Sequence, residues 1–396
     1  MSDHRDWEDG CSTDVVVGKV GTKKRPTEDS LARLSYSDSA SPLQGEKVVK
    51  RWSTIRNADT TYDYKSCAHV DHARSIARGS QYDFKRLKDF NFEPHASSAA
   101  VSVNFHHENE LALCATAGGI LNLFRVDGTV NGILHTMSFS NVSVAASNFS
   151  RANGKVIVCG KGSLLFWDLE SGRVEKSYFP DGVDIQGDFV QADATDTLGV
   201  LGSQSVGIFS QKSRTCVMNL KMNAPVRSFV FNSFDREVIC SAADGKLYCW
   251  DVRMQRCLKI AKGFDSVTRM CTSSDGARLI TGLENGIINI YDFANVTWDT
   301  IQKEEQRAER SVSSLSTSIT YLSTGPRFEF VVASSSLERN ALKIIHLPSL
   351  SVLNTWPTSS TPLHFVTAHA VNRDGSVLAV ANARGRVLTY SVSTRR

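Results

Sequence analysis

From residue 98 onward, apolar and polar positions change over in short runs such as "EVICSAA", "KLYCWD", "RLITGL" and "GIINIYD", separated by stretches that contain Gly, Asn, Asp and Ser. Runs of this length, rich in β-branched and aromatic residues and broken by turn formers, predict many short antiparallel strands. The first 83 residues have a different texture. Ser, Asp, Arg and Lys dominate, apolar residues come in isolated pairs, and neither a period of 2 nor one of 3.6 persists, which predicts a largely disordered extension over 1–83.

One run recurs. "LNLFRVDG", "LLFWDLESG", "VGIFSQKSR", "LYCWDVRMQR", "INIYDFAN", "LKIIHLPSL" and "VLTYSVST" align on Phe124, Trp167, Phe209, Trp250, Tyr291, Ile345 and Tyr390, at separations of 43, 42, 41, 41, 54 and 45 residues. A period of this size with a weak Trp-Asp ending marks the four-stranded blades of a WD-repeat β-propeller, so residues 84–396 are expected to form an all-β, seven-bladed ring. Hairpin turns are expected at Gly118-Gly119, Gly162-Ser163, Asp244-Gly245, Asn285-Gly286 and Arg384-Gly385, where Gly or Asn takes positive φ. The seventh copy lacks a following strand, and the segment 84–94, "FKRLKDFNFEP", is expected to supply it and close the ring.

At the repeat positions the aromatic residue is expected to pack between blades, and the Asp of the pairs Trp167-Asp168, Trp250-Asp251 and Tyr291-Asp292 to cap the turn beyond. Ser241, Asp244 and Trp250 are candidates for a hydrogen-bonded trio, although no His stands in the slot that completes it. The charged run "DTIQKEEQRAERS" reads as a helical turn or solvated loop between the fifth and sixth blades.

Composition narrows the function classes. Forty-five basic against 41 acidic residues leave a net charge of +4, too little for binding nucleic acid by bulk electrostatics, so any RNA contact is expected to be local. The charged start "MSDHRDWEDGCSTD" and the lack of a long apolar run argue against secretion or a membrane. Nine scattered cysteines with no C-x-x-C pair suggest a reducing compartment. No nucleophile elbow, zincin helix or phosphate loop occurs, so no enzyme, cofactor or small-molecule substrate is expected. His106, His107 and Glu108 in "FHHENE" make a poor metal set, because consecutive strand residues point to opposite faces. Lys23, Lys24 and Arg25 read as a nuclear-import or RNA patch or as a solvated tail. Arg253, in "WDVR", fits the W-D-x-R pattern of receptors that dock on cullin-based ubiquitin ligases, or is a solvated arginine after a turn.

"NALKIIHLPSLSVLNTWPTSSTPLHFV", residues 340–366, resembles the C-terminal signature of the U3 small nucleolar RNA-associated protein 18 family, with matches at Ala341, Leu342, His346, Pro348, Ser349, Trp356, Pro357, Thr358, Thr361, Pro362 and Leu363. "VSVNFH", "LNLFRVDGTVN", "DGKLYCWDVRMQRC", "GIINIYDF" and "SLSTSIT" extend the resemblance over about 300 residues. It implies a non-catalytic scaffold of the small-subunit processome in the nucleolus, needed for processing pre-18S ribosomal RNA, with other WD-repeat subunits, the U3 small nucleolar ribonucleoprotein and pre-ribosomal RNA as partners. The alternative is a substrate receptor of a cullin-based ubiquitin ligase. "RLSYSDS" lacks the Phe of the family's helicase-recruiting motif, which leaves that role unassigned. On physical grounds "TWPTSSTP" is a loop, since Pro357 and Pro362 donate no ladder hydrogen bond. Trp356 then either packs between blades, the favoured reading, or anchors a partner, and His346 is expected to hydrogen-bond within its turn.

Overall fold

The computed structural model describes residues 81–91 and 98–395, except 109, 129, 140–141, 152–153, 178–184, 193–194, 233–236, 265, 274–275, 294–295, 297–307, 314, 326–329 and 348. Within them the alternating runs form seven four-stranded antiparallel sheets, and no α-helix occurs among the described residues. The first strand among the described residues, β1 (Gln81–Arg86), belongs to the last blade. Blade 1 comprises β2 (Ala100–Phe105), β3 (Leu111–Thr116), β4 (Ile120–Arg125) and β5 (Ile133–Ser138). Blade 2 follows with β6 (Val144–Phe149), β7 (Lys155–Gly160), β8 (Ser163–Asp168) and β9 (Val174–Lys176). Blade 3 has β10 (Phe189–Gln191), β11 (Thr197–Leu201), β12 (Ser205–Ser210) and β13 (Cys216–Lys221). In blade 4 lie β14 (Val226–Phe231), β15 (Glu237–Ala242), β16 (Lys246–Asp251) and β17 (Arg256–Lys262). Blade 5 takes β18 (Val267–Thr272), β19 (Arg278–Leu283), β20 (Ile287–Asp292) and β21 (Arg310–Ser313). Blade 6 takes β22 (Tyr321–Thr324), β23 (Phe330–Ser334), β24 (Leu342–His346) and β25 (Ser351–Val352). Blade 7 is β26 (Val366–Val371), β27 (Val377–Asn382) and β28 (Val387–Arg395), with β1 as its fourth strand. The described residues thus form a seven-bladed β-propeller.

Successive side chains of a strand point to opposite faces, and each blade has a neighbour on both sides, so one strand feeds two cores. In β15, Val238, Cys240 and Ala242 pack toward blade 3 while Ile239 packs toward blade 5. Seven apolar clusters result, one at each seam between neighbouring blades. The seam of blades 7 and 1 is filled like the others, by Ala368, Ala379 and Val387 against Val103, Ala112 and Phe124, so the ring is closed.

Closure also uses β1, which runs antiparallel to β28 with Gln81 opposite Arg395 and Arg86 opposite Tyr390. An extension through residue 83 was the expectation from composition, yet the chain is already strand at Gln81, because Tyr82 is buried at the blade 6–7 seam and Phe84 packs beside it. The rest of that extension lies outside the described residues. Beyond Arg86 the segment stays beside β28 with irregular bonds, Leu87 N–H to Thr389 C=O at 2.9 Å and Phe90 N–H to Val387 C=O at 3.2 Å, so only 84–86 of the expected 84–94 closing strand are regular sheet.

All five expected hairpins turn on a glycine at positive φ, namely Gly119, Gly162, Gly245, Gly286 and Gly385. At Gly286 space also requires it, since a Cβ would lie 2.3 Å from the Leu315 carbonyl oxygen. The charged insertion falls elsewhere than expected. β21 pairs with β20, so 293–309 interrupts the fifth blade between its third and fourth strands and does not link blades 5 and 6. Its apolar-poor sequence hid the return strand "RSVS" that completes the sheet.

Candidate functional site

Each repeat position lies on the third strand of its blade and faces the preceding blade. Phe124 fills the seam of blades 7 and 1, Trp167 that of 1 and 2, and Phe209 that of 2 and 3. Trp250, Tyr291, Ile345 and Tyr390 repeat the arrangement around the ring. These residues therefore fill interior space. The paired aspartates serve the turns. Asp168 Oδ1 accepts from the N–H groups of Glu170 at 3.0 Å and Ser171 at 3.3 Å, and Asp251 Oδ1 from Arg253 at 2.7 Å and Met254 at 3.1 Å. These backbone bonds hold both carboxyls below the usual carboxylate range. Asp292 ends β20 opposite Arg278.

The candidate trio does not assemble. Ser241 Oγ donates to the Ser228 carbonyl at 3.2 Å, Asp244 accepts from Tyr248 OH and Lys246 Nζ, both at 2.8 Å, and the Trp250 indole N–H is buried without a partner. Tyr248 shares a strand face with Trp250 and reaches the turn aspartate first. Burial, then the Asp244 carboxylate, pushes its phenol up to about 12.

The segment 353–365 is a loop with a cis Trp356-Pro357 bond. Trp356 is 6% exposed, stacks on Phe84 at 4.7 Å and meets Tyr390 edge-on at 4.8 Å, so it packs between blades 6 and 7. Pro357 is half-buried and Pro362 exposed. His346 bonds within its turn, Nδ1 to Ser349 Oγ at 2.7 Å, and Pro348 lies outside the described residues. A cavity of about 340 Å³ opens beside this loop, lined by Trp356, Pro362, Thr358 and Tyr390 among others.

The first strands of neighbouring blades adjoin and surround the axis. There Arg269 of β18 pairs with Asp188 and donates from Nε to the Thr320 carbonyl at 2.8 Å. A cavity of about 280 Å³ among β2, β6, β22 and β26 contains His369, which is 1% exposed and bonded through Nδ1 to Ser323 Oγ at 2.7 Å. Burial pushes the His369 imidazole down to about 3. His106 and His107 stack at 4.5 Å, and His106 Nδ1 accepts the Glu108 N–H, which binds the pair into its turn. Arg253 is exposed on the turn after β16, whereas Lys23, Lys24 and Arg25 lie outside the described residues.

A second polar cluster escaped the sequence patterns. Arg339, His364, Arg384 and Arg386 come from three separate segments and meet where blades 6 and 7 adjoin. No local spacing rule joins them; the only signal was that His364 falls inside the 340–366 signature, next to its last matched residue, Leu363.

Residues 214–251 and 255–292 match the family described as WD domain, G-beta repeat. Over most of its length the chain resembles proteins called U3 small nucleolar RNA-associated protein 18. It is 26% identical over 326 residues to the homolog from Arabidopsis thaliana, covering 78% of this chain and 57% of that protein. The probable counterpart in Schizosaccharomyces pombe is 24% identical over 330 residues, 81% of this chain and 63% of its own. The Homo sapiens homolog is 24% identical over 332 residues, 81% and 58%. The chain thus spans about three fifths of the length of these relatives.

Proposed function

We propose that the chain is a non-catalytic scaffold subunit of the small-subunit processome, acting in the nucleolus in the processing of pre-18S ribosomal RNA. The observation that carries this reading is similarity over some four fifths of the chain to relatives named for association with the U3 small nucleolar RNA. The seams support it. Repeat residues that could be mistaken for a site, Phe124, Trp167, Phe209, Trp250, Tyr291 and Tyr390, are used up in holding seven sheets together. Function then falls to the loops and rim, surfaces suited to binding several partners at once. Its partners are other WD-repeat subunits and the U3 ribonucleoprotein with its precursor RNA.

Depleting the protein and probing ribosomal RNA precursors tests the proposal. Small-subunit precursors should accumulate, and the tagged chain should sediment with large pre-ribosomal particles. Unchanged maturation would overturn the reading. The rival, a receptor of a cullin-based ubiquitin ligase, draws on the exposed side chain of Arg253 after Trp250-Asp251. It requires co-purification with the ligase adaptor that is lost in Arg253→Ala, whereas a processome subunit keeps its particles in that variant.

A further inference from the structure

Three loops meet on the face that carries the second-to-third-strand hairpins. Arg339 stands in the connection 335–341 of blade 6, Arg384 and Arg386 in the hairpin of blade 7, and His364 in the segment entering β26. All three arginines are exposed. Hydrogen bonds brace the loops on one another. Asn340 N–H donates to the His364 carbonyl and His364 N–H to Asn340 Oδ1, both at 2.8 Å, and Ala383 N–H donates to the Phe365 carbonyl at 3.0 Å. Buried Asn382 accepts the N–H groups of Arg384 at 3.1 Å and Arg386 at 3.0 Å on Oδ1, and donates to the Leu363 carbonyl at 3.4 Å. Asn340 and His364 hold φ of 59° and 61°, a conformation that costs energy in residues with a side chain and persists where neighbours enforce it.

The cationic groups themselves are left unneutralised. Arg86, Arg227 and Arg278 each have a carboxylate within 4 Å, whereas Arg339, Arg384 and Arg386 have none among the described residues. The nearby Glu338 carboxylate is held by Ser316 Oγ at 2.5 Å. Arg384 Nη1 lies 3.1 Å from His364 Nε2, and since a guanidinium only donates, the imidazole accepts and is neutral. Burial, then Arg384, Arg339 and Arg386, pushes the His364 imidazole down, which reports the same uncompensated positive field. Arg339 also lies over the Phe365 ring at 5.5 Å.

We propose that Arg339, Arg384 and Arg386, with His364 and Phe365 between them, bind the sugar-phosphate backbone and a stacked base of single-stranded RNA. Guanidinium forks fit phosphate oxygens in pairs, and the half-buried His364 ring beside them gives a base a face to stack on, while Phe365 lies under Arg339. An acidic protein segment would satisfy the forks alone and leave the His364 ring without a stacking partner. The choice of RNA rests on the assembly reading; the anion-binding chemistry does not. Asn382 and Asn340 are positioning residues that hold the arginines in place before any ligand arrives.

The test measures binding of a fluorescein-labelled twelve-residue uridine oligonucleotide to the full chain by anisotropy, between 50 and 200 mM KCl. Arg339→Gln/Arg384→Gln/Arg386→Gln should weaken binding at least tenfold at low salt and lower the slope of log K against log salt by about 2, from about 0.7 per lost phosphate contact. In wild-type protein the oligonucleotide should shift the His364 imidazole resonance and leave that of His135 unchanged, a readout independent of the variant's folding. Equal binding and slope in the triple variant, or an unmoved His364 resonance, would overturn the proposal. So would capture of a polyglutamate peptide at these arginines with no affinity for the oligonucleotide. Loss of RNA binding in the variant together with normal sedimentation in pre-ribosomal particles supports the site. An intact site in a chain that never enters those particles sinks the assembly reading alone.

Discussion

Lowering the pH from 7.5 to 5 is expected to weaken the propeller by about 2 kcal/mol through one side chain, His369. Its imidazole is 1% exposed beside the axis, bonded to Ser323 and edge-on to Tyr321 at 4.9 Å, with Nε2 unpartnered. In the unfolded chain it takes up a proton near pH 6.5, whereas in the fold burial lowers that to about 3. Between those values the unfolded state binds more protons than the native one, so stability rises with pH across the window and falls on acidification. With both constants in the linkage relation, the loss is negligible at pH 7.5 and about 2 kcal/mol at pH 5, an order-of-magnitude figure. Urea unfolding at the two pH values measures it, with His369→Asn as control, because Asn keeps a polar atom near Ser323 and does not titrate. The variant should lose most of the pH difference. A full difference retained in His369→Asn, or a His369 resonance titrating near 6.5 in the native protein, would refute the reasoning.

Other outcomes follow from the seams and turns. Trp356→Ala removes a ring held between Phe84 and Tyr390 and should cost about 3–5 kcal/mol in chemical denaturation, where a loss below 1 would mean the residue serves a partner instead. Gly286→Ala sets a Cβ against the Leu315 carbonyl at φ +81° and should destabilise by about 1–3 kcal/mol, read as a lowered urea midpoint. Tyr82→Asp introduces a charge into the blade 6–7 core and should loosen β1 from β28, giving concentration-dependent oligomers in light scattering as the freed edge pairs with another copy; a monomer would show that closure does not depend on β1.

Blade number, strand order and hairpin positions were legible because they depend on local chemistry: short apolar runs of strand length, a glycine where φ must be positive, and a recurrence of about 40 to 45 residues. The turn-capping aspartates were equally legible, since Asp168 and Asp251 bond only two and three residues ahead. Less local relations were not. The trio of Ser241, Asp244 and Trp250 fails because Tyr248 competes for the same carboxylate, a choice made by side-chain reach within the packed blade. Likewise the fourth strand of blade 5 was concealed by the 293–309 insertion until β20 supplied a ladder for "RSVS".

What the sequence determined by itself is that seven four-stranded units would form, each apolar on both faces and therefore unable to stand alone. Tertiary structure decided which units touch and what that brings together. Asp188 meets Arg269 across 81 positions, and Arg339 shares a face with Arg384 and Arg386 because blades 6 and 7 adjoin with parallel hairpins. Alternation along a strand is set by backbone geometry one residue at a time, but proximity between blades arises only when the ring closes, and no period in the chain encodes the charge pattern that closure collects on its surface.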